Sequence, residues 1–413
     1  MFAFLEIPVN NLYSAKQYFA SFVRMLVNIK HLEKMQDNML AFEQSPDFFP
    51  HKSISKGERP CVFESMIKYN PVTKESGKCF ATGRAAIAIE LALRSVNTIG
   101  GYVIVPANIC YAAVLPIIYA GFKPLFCDVD RFSGNVSLNA IREVKNDTVV
   151  AAILPHMYGN PIFNFPVIVD YLHSFGITVI EDCASLMATE GDSYIPGTLG
   201  DYVVYSTGYS KPIDLNYGGL LFSRNKELDY LEKIEMSFPP FKDEFESEWK
   251  TFSAVYRALR NTDQFSLIGT SVYQNLPHSF KDSFQFSITE EQKEKIFECM
   301  VHLQEVTNER FKQYNLYKNL IKIPKTKIYE FNSHAVPWRF NMLLDEERKN
   351  FIAYCLEKRL PVSDWYPQVT PIFGMNEKKL GAEWHENHIV NFPLLISEDA
   401  IVKICDAINE FYA

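Results

Sequence analysis

The chain has 413 residues, of which 47% are hydrophobic and 22% charged, and its formal net charge is −8 at pH 7. Such a length supports a main domain plus a smaller one, and the balance is that of a soluble globular protein. The acidic excess argues against nucleic acid as a partner; positive charge is expected only locally, for instance around a phosphate.

At the amino terminus, Met1 to Glu6 carries an early acid and lacks both a basic leader and a small-residue cleavage site, so no secretory signal is expected. Phe19, Phe22, Val23, Leu26 and Ile29 recur at helical spacing and predict an amphipathic helix within an extension covering residues 1–76. Nowhere does an apolar run reach the ~18 uncharged residues of a spanning helix, so no membrane association is expected.

From 77 to 235, apolar runs alternate with helical patterns. Tyr102 to Pro106, Pro124 to Asp128, Thr148 to Leu154, Ile177 to Asp182, Tyr202 to Ser206 and Gly219 to Phe222 read as strands covered on both faces. Arg84 to Ser95, Tyr111 to Ala120, Ser137 to Val144 and Val167 to Phe175 read as helices. Strand-helix alternation predicts a three-layer α/β domain with a mostly parallel sheet, whose ligands bind beyond the strand carboxyl ends.

Residues 236–286 are aromatic-rich and irregular, and read as an insertion or interface arm. From 287 to 413 the pattern predicts a long helix, Thr289 to Tyr317, and then a smaller carboxyl-terminal α/β domain. That domain comprises strand His334 to Leu344, helix Asp345 to Arg359, strand Ile389 to Pro393 and helix Ser397 to Tyr412. Eight cysteines without a Cys-x-x-Cys spacing indicate reduced thiols and a cytoplasmic setting, and nine scattered histidines predict no metal site.

Two apolar strands finish on ionisable groups. Lys211 and Pro212 follow the strand ending at Ser206, and Gly218 and Gly219 follow in turn; the upstream strand ends at Glu181 and Asp182. A lysine that bonds an aldehyde and an acid that keeps a ring nitrogen protonated are the pair a pyridoxal 5'-phosphate enzyme requires. One of Glu181 and Asp182 is expected to face the site. A low-dielectric pocket and a neighbouring cofactor cation are expected to lower the Lys211 pKa. Phe80 to Ala86 places Gly83 and Arg84 where a helix begins, a geometry suited to a phosphate, and the Ser206 hydroxyl is a further phosphate donor. His156 and Tyr158 lie at a strand end, either as substrate contacts or as structural turn residues.

Six segments in register resemble the DegT/DnrJ/EryC1/StrS family, the sugar-aminotransferase branch of fold-type I pyridoxal phosphate enzymes: Thr82 to Ile87, Val105 to Cys110, Ala120 to Asp130, Pro155 to Asn160, Glu181 to Ser185, and Ser206 to Pro212 with Gly218 and Gly219. The resemblance is strong over residues 77–225 and looser over 287–413. It implies that Lys211 bonds the cofactor, that Asp182 partners the pyridine nitrogen, and that Gly83, Arg84 and Ser206 bind phosphate. It also implies a homodimer with shared sites. Departures accompany it. Cys110, followed by Tyr111, stands where the family stacks an aromatic ring on the cofactor; Ser185 replaces the usual Gln or His; Tyr217 precedes the diglycine in place of Glu; Ser287 replaces a partner-supplied Asn. The implied activity is transfer of an amino group, with glutamate the expected donor, to a keto-sugar, expected to be nucleotide-linked. The alternatives are a pyridoxal-fold binding or regulatory protein without turnover, and a different pyridoxal reaction on a small amino substrate.

Overall fold

The computed structural model describes residues 66–98, 100–250, 280–373 and 379–413. The amphipathic helix expected near residues 19–29 lies outside them. The chain divides into two compact units, the smaller of which includes Lys242–Phe284. Of that smaller unit, residues 243–250 are helical, Lys281–Phe284 form one further helical turn, and Trp249 packs on Phe284 with ring centroids 5.6 Å apart.

The larger unit is built on an eight-stranded sheet. Its strands are β1 (Met66–Tyr69), β2 (Ser76–Thr82), β3 (Tyr102–Pro106), β4 (Lys123–Cys127), β5 (Val149–Pro155), β6 (Thr178–Asp182), β7 (Tyr202–Ser206) and β8 (Gly219–Ser223), in the order β1-β2-β8-β7-β6-β5-β3-β4. The run β7-β6-β5-β3-β4 is parallel, and β8 is antiparallel to both of its neighbours, β7 and β2. Every residue of β7 and β8 is buried, as expected for strands covered on both faces. Helices α1 (Ala85–Arg94), α2 (Tyr111–Tyr119), α3 (Leu138–Val144) and α4 (Phe165–His173) connect these strands, and α1 packs on α2, β7 and β8. This is the three-layer α/β arrangement expected from the alternation. Strands β1 and β2 were not anticipated, because Ser76, Gly77 and Lys78 dilute the apolar pattern of β2 and only its second half is buried.

After α5 (Asp229–Met236) come α6 (Glu290–Met300) and α7 (Leu303–Leu320). The single long helix expected from residue 289 is therefore broken at Val301 and His302. The apolar period runs across the break, with Ile296, Met300 and Leu303 all buried, so the pattern alone does not reveal it. Thr289 starts α6 with a reciprocal capping box: its side chain accepts the Gln292 N–H at 3.2 Å, while Gln292 accepts the Thr289 N–H at 2.9 Å.

The carboxyl-terminal part contains β9 (Phe340–Leu343), α8 (Arg348–Glu357), α9 (Leu380–His388), β10 (Ile389–Phe392) and α10 (Glu398–Tyr412). Strands β9 and β10 pair antiparallel, and Tyr317, Phe340, Phe351, Phe392, Ile404 and Ile408 form the core around them. The strand expected over 334–344 is confined to its second half. Pro337 cannot donate to a ladder, and the Val336 and Trp338 N–H groups instead reach the carbonyls of Gly159 and Tyr158, at 3.0 and 2.9 Å. Among the described residues, no helix is long and apolar enough to cross a membrane.

Candidate active site

Strands β5, β6 and β7 run parallel and end side by side, at Pro155, Asp182 and Ser206. Side chains alternate across a strand, so Glu181 and Asp182 point to opposite faces of the sheet. Glu181 is fully buried and hydrogen-bonded by the protein on its own side. Its Oε1 accepts the Gly197 N–H at 2.6 Å and His156 Nε2–H at 3.0 Å, and its Oε2 accepts the N–H groups of Leu199 and Gly200 at 3.0 and 2.9 Å. The carboxylate thus fastens the loop that leads into β7. Glu181→Gln would aim an amide donor at backbone donors, and is expected to cost roughly 3 kcal/mol in urea unfolding, because buried donors lose their acceptor. An unchanged unfolding midpoint would contradict that role.

Asp182, on the other face, is 6% exposed, and its Oδ1 accepts the Ala184 N–H at 2.9 Å. Burial pushes its carboxyl above the ordinary carboxylate value, while the Ala184 N–H, Lys211 and His156 pull it back down. Lys211 leaves the β7–β8 loop half-buried, and its Nζ donates to Ser185 Oγ at 3.2 Å and lies 5.9 Å from the centre of the Trp338 ring. Burial pushes its ammonium down, but the neighbouring Tyr366, Cys110 and Asp182 outweigh burial and leave it above its ordinary value. Lys211 and Asp182 therefore lie close enough for each charge to act on the other.

The remaining sequence candidates fall into two groups. Cys110 is half-buried at the start of α2, within electrostatic reach of Lys211 and Asp182, and burial raises its thiol pKa; Tyr111, the first residue of α2, is buried. Ser185 is 9% exposed and adjoins the lysine. His156 and Tyr158, by contrast, are engaged by the protein. Ile162 N–H donates to His156 Nδ1 at 3.1 Å, which places the ring proton on Nε2, toward Glu181. Tyr158 has no exposure; its hydroxyl accepts the Tyr366 N–H at 2.9 Å and donates to His385 Nε2 at 3.0 Å. Neither ring faces solvent. His156, Glu181 and Cys183 bring ligand-type atoms within 4.8 Å of one another, a grouping that scattered spacing did not predict. The hydrogen bonds of His156 and Glu181 account for it, and burial holds the Cys183 thiol far above its usual value.

His385 supplies a pH dependence. Its Nδ1–H donates to the Arg131 carbonyl at 2.7 Å, and burial pushes its imidazole down to about 4 from an ordinary 6.5. The unfolded chain then binds a proton that the folded chain refuses. Stability is complete above about 6.5 and falls as the pH drops toward 4, by up to about 3 kcal/mol. Urea midpoints measured across that window should show the slope, and His385→Gln should flatten it.

The amino end of α1 meets the β7–β8 loop that carries Lys211. Helix α1 begins at Arg84 without a side-chain cap and with no acid in its first turn, which leaves its amino end attractive to an anion. Backbone bonds draw the β7–β8 loop against it: Gly218 N–H reaches the Gly83 carbonyl at 2.8 Å, and Thr207 N–H reaches the Gly218 carbonyl at 3.2 Å. Gly218 has φ +95°, and a Cβ on Gly219 would lie 2.4 Å from the Ala85 nitrogen, so the diglycine permits this approach. A Cβ on Gly83 would press on the Phe286 ring at 2.6 Å. Ser206 lies opposite Gly219 on the neighbouring strand, and its Oγ accepts a long 3.3 Å bond from Gly208 N–H. An amine, a carboxylate inclined to take a cation, and an anion cradle occupy one sheet edge; this donor set fits pyridoxal phosphate.

Other features of the site were not apparent in the sequence. Tyr366 lies within electrostatic reach of Lys211, and Trp338 stacks on Tyr366 with centroids 5.4 Å apart. Arg310, buried on α7, donates to the carbonyls of Lys211 at 3.0 Å and Trp338 at 2.8 Å; burial pushes its guanidinium down to about 10. Ser287 donates to the Phe238 carbonyl at 3.0 Å, and the Tyr217 carbonyl accepts the Thr207 hydroxyl at 2.7 Å.

Comparison with known proteins agrees with this geometry. The profile of the DegT/DnrJ/EryC1/StrS aminotransferase family matches residues 47–409. A GDP-perosamine synthase from Escherichia coli O157:H7 is 26% identical over 376 residues, 87% of this chain and 92% of that protein. A dTDP-4-dehydro-2,3,6-trideoxy-D-glucose 4-aminotransferase from Saccharopolyspora spinosa is 27% identical over 183 residues, 44% of this chain and 47% of that one. The crystal structure of an aminotransferase, TlmJ, from Streptoalloteichus hindustanus superposes with a TM-score of 0.62 at 17% identity, over 82% of this chain and 87% of its own, a likeness of fold.

Proposed function

Because this chain belongs to the DegT/DnrJ/EryC1/StrS aminotransferase family, we propose that it aminates a nucleotide-linked keto-sugar, with pyridoxal phosphate as cofactor and glutamate as amino donor. The observation that carries the reading is the convergence of Lys211 and Asp182 at the ends of β7 and β6, each within electrostatic reach of the other. Pyridoxal phosphate, when bound, supplies a carbonyl for amines and a ring that takes up the electrons left by a departing proton.

The chain's own residues divide the remaining work. The amino end of α1, with Gly83, Arg84 and Ser206, holds the phosphate. Asp182, in its buried place, holds a cation that water would otherwise hydrate. Lys211 Nζ, once free, takes the proton from the donor's α-carbon and later returns one to the sugar carbon. Cys110, Tyr111 and Ser185 border the space in which this occurs. The names of the two relatives, one a GDP-sugar enzyme and the other a dTDP-sugar enzyme, support a nucleotide-linked substrate.

The family resemblance supports a homodimer with shared sites, and the free thiols of Cys79, Cys110, Cys127, Cys183, Cys299, Cys355 and Cys405 support a cytoplasmic setting. In this reading residues 77–235 carry the cofactor, residues 1–76 are an extension whose last part adds β1 to the sheet, 236–286 are an insertion or interface arm, and 287–413 the long helices and smaller domain. Incubation with ¹⁵N-glutamate and a panel of nucleotide-linked keto-sugars tests the function: labelled amino-sugar is the expected product. A protein that binds the cofactor but moves label to no ketone would favour the non-transaminating alternatives.

A further inference from the structure

Ser210 and Lys211, at the root of the amine, have all four of their backbone polar groups engaged. Two partners are local: the Asp214 carboxylate accepts the Ser210 N–H at 2.7 Å, and the Gly208 carbonyl accepts the Lys211 N–H at 3.2 Å. Both carbonyls are held from far along the chain. The Trp338 indole Nε1–H donates to the Ser210 carbonyl at 2.5 Å, and Arg310 Nη2 donates to the Lys211 carbonyl at 3.0 Å. Arg310 Nη1 donates in turn to the Trp338 carbonyl at 2.8 Å, so the residues close a circuit. Trp338 is itself anchored: it is buried, its N–H donates to the Tyr158 carbonyl at 2.9 Å, and its ring stacks on Tyr366 with planes 19° from parallel. Ser210 has φ +60°, a left-handed conformation that a residue with a Cβ adopts at a cost. Its Oγ accepts from Arg339 Nη2 at 2.8 Å, a third tie to the same segment.

We propose that Trp338 and Arg310 are positioning residues for the Lys211 amine, acting through the two carbonyls they hold at the base of that side chain. The inference rests on reading Lys211 as the reacting amine. The lysine stem is flexible, so any shift of its Cα is passed on to Nζ. An amine that bonds, leaves and then carries a proton needs a fixed root, because a misplacement of about 1 Å can cost a hundredfold in rate. A surface loop can leave its carbonyls to water. Here two consecutive carbonyls take donors 128 and 99 positions away instead. The donor types suit a permanent hold. An indole N–H only donates, and a guanidinium donates from a rigid fork that reaches two carbonyls at once. Arg310 keeps its proton at neutral pH, so the hold is the same whether the amine is charged or free. Nζ itself lies 5.9 Å from the centre of the Trp338 ring and donates to Ser185 Oγ at 3.2 Å.

The test is trace acetylation of the full-length chain before cofactor is added, with the Lys211 peptide compared by mass spectrometry with the other lysines. Trp338→Phe keeps a ring against Tyr366 but removes the donor to the Ser210 carbonyl; Arg310→Lys keeps the charge but loses the fork. Each should raise Lys211 labelling about threefold or more. With cofactor and glutamate present, each should lower kcat about tenfold while KM for glutamate changes by less than about twofold. A role in stability alone would lower the melting temperature without that split. Unchanged Lys211 labelling in both variants would overturn the inference, as would a wild-type kcat in a variant whose labelling has risen. Neither result bears on the assignment of Lys211, which its own replacement tests. If both variants fail to fold, Ser210→Gly decides. It removes the Arg339 bond and frees the backbone, and should raise labelling and lower kcat, each by about threefold; wild-type values of both would overturn the inference.

Discussion

Lys211→Ala is expected to lower transamination by at least about a thousandfold, because both the bond to the cofactor and the proton carrier are lost together. Borohydride treatment of the holoprotein followed by peptide mapping should find the cofactor attached to Lys211 in the wild type and to no peptide in the variant. The fold should survive. The Lys211 carbonyl, which Arg310 holds at 3.0 Å, and the Lys211 N–H, which bonds the Gly208 carbonyl at 3.2 Å, belong to the backbone and are kept. Turnover within tenfold of wild type, in a protein with an unchanged melting temperature, would refute the assignment.

Asp182→Asn is expected to slow the half-reaction with glutamate by roughly a hundred- to a thousandfold. The change keeps the side-chain size and an acceptor for the Ala184 N–H, which now bonds Asp182 Oδ1 at 2.9 Å, and removes only the charge. Burial already disfavours that charge, so the folded carboxyl binds its proton more tightly than the unfolded one does. The sign follows: Asp182 makes the cofactor-free protein less stable as pH rises through the interval above the ordinary 3.8, and Asp182→Asn should lessen that loss. A cation beside the carboxylate reverses the burden. Single-turnover kinetics at neutral pH measure the catalytic effect, and a near-normal rate would remove Asp182 from the reaction. Glu181 is not a substitute, since it lies on the opposite face and its oxygens accept four protein donors.

The parallel half of the sheet was legible because its strands are short and apolar and β3, β4 and β5 are each followed by a helical period; β7, buried throughout, is the extreme case. The convergence of Lys211 and Asp182 could be anticipated from the same source, because parallel neighbours deliver their carboxyl ends to one edge. The choice between Glu181 and Asp182 could not be made, as adjacent strand residues face opposite ways and only tertiary partners distinguish the faces. Tyr366, Trp338 and Arg310 were hidden for another reason. They reach the site from a loop, an interrupted strand and a helix interior, and no local spacing ties residue 366 to residue 211. The Asp345–Arg359 and Tyr111–Ala120 helices were found to within three residues at either end, whereas α9 was missed because its burial is confined to Ala382 and His385.

Arg310 has a consequence for the order in which this protein becomes competent. Its guanidinium reaches back 99 positions along the chain to grasp the Lys211 carbonyl, and bridges from there to Trp338. A ribosome that has released the first three hundred residues has already made every motif of the cofactor edge, yet the lysine loop still lacks its clamp. The lysine loop therefore gains this clamp only in the last quarter of synthesis, and a product terminated before Arg310 would carry the motifs without it.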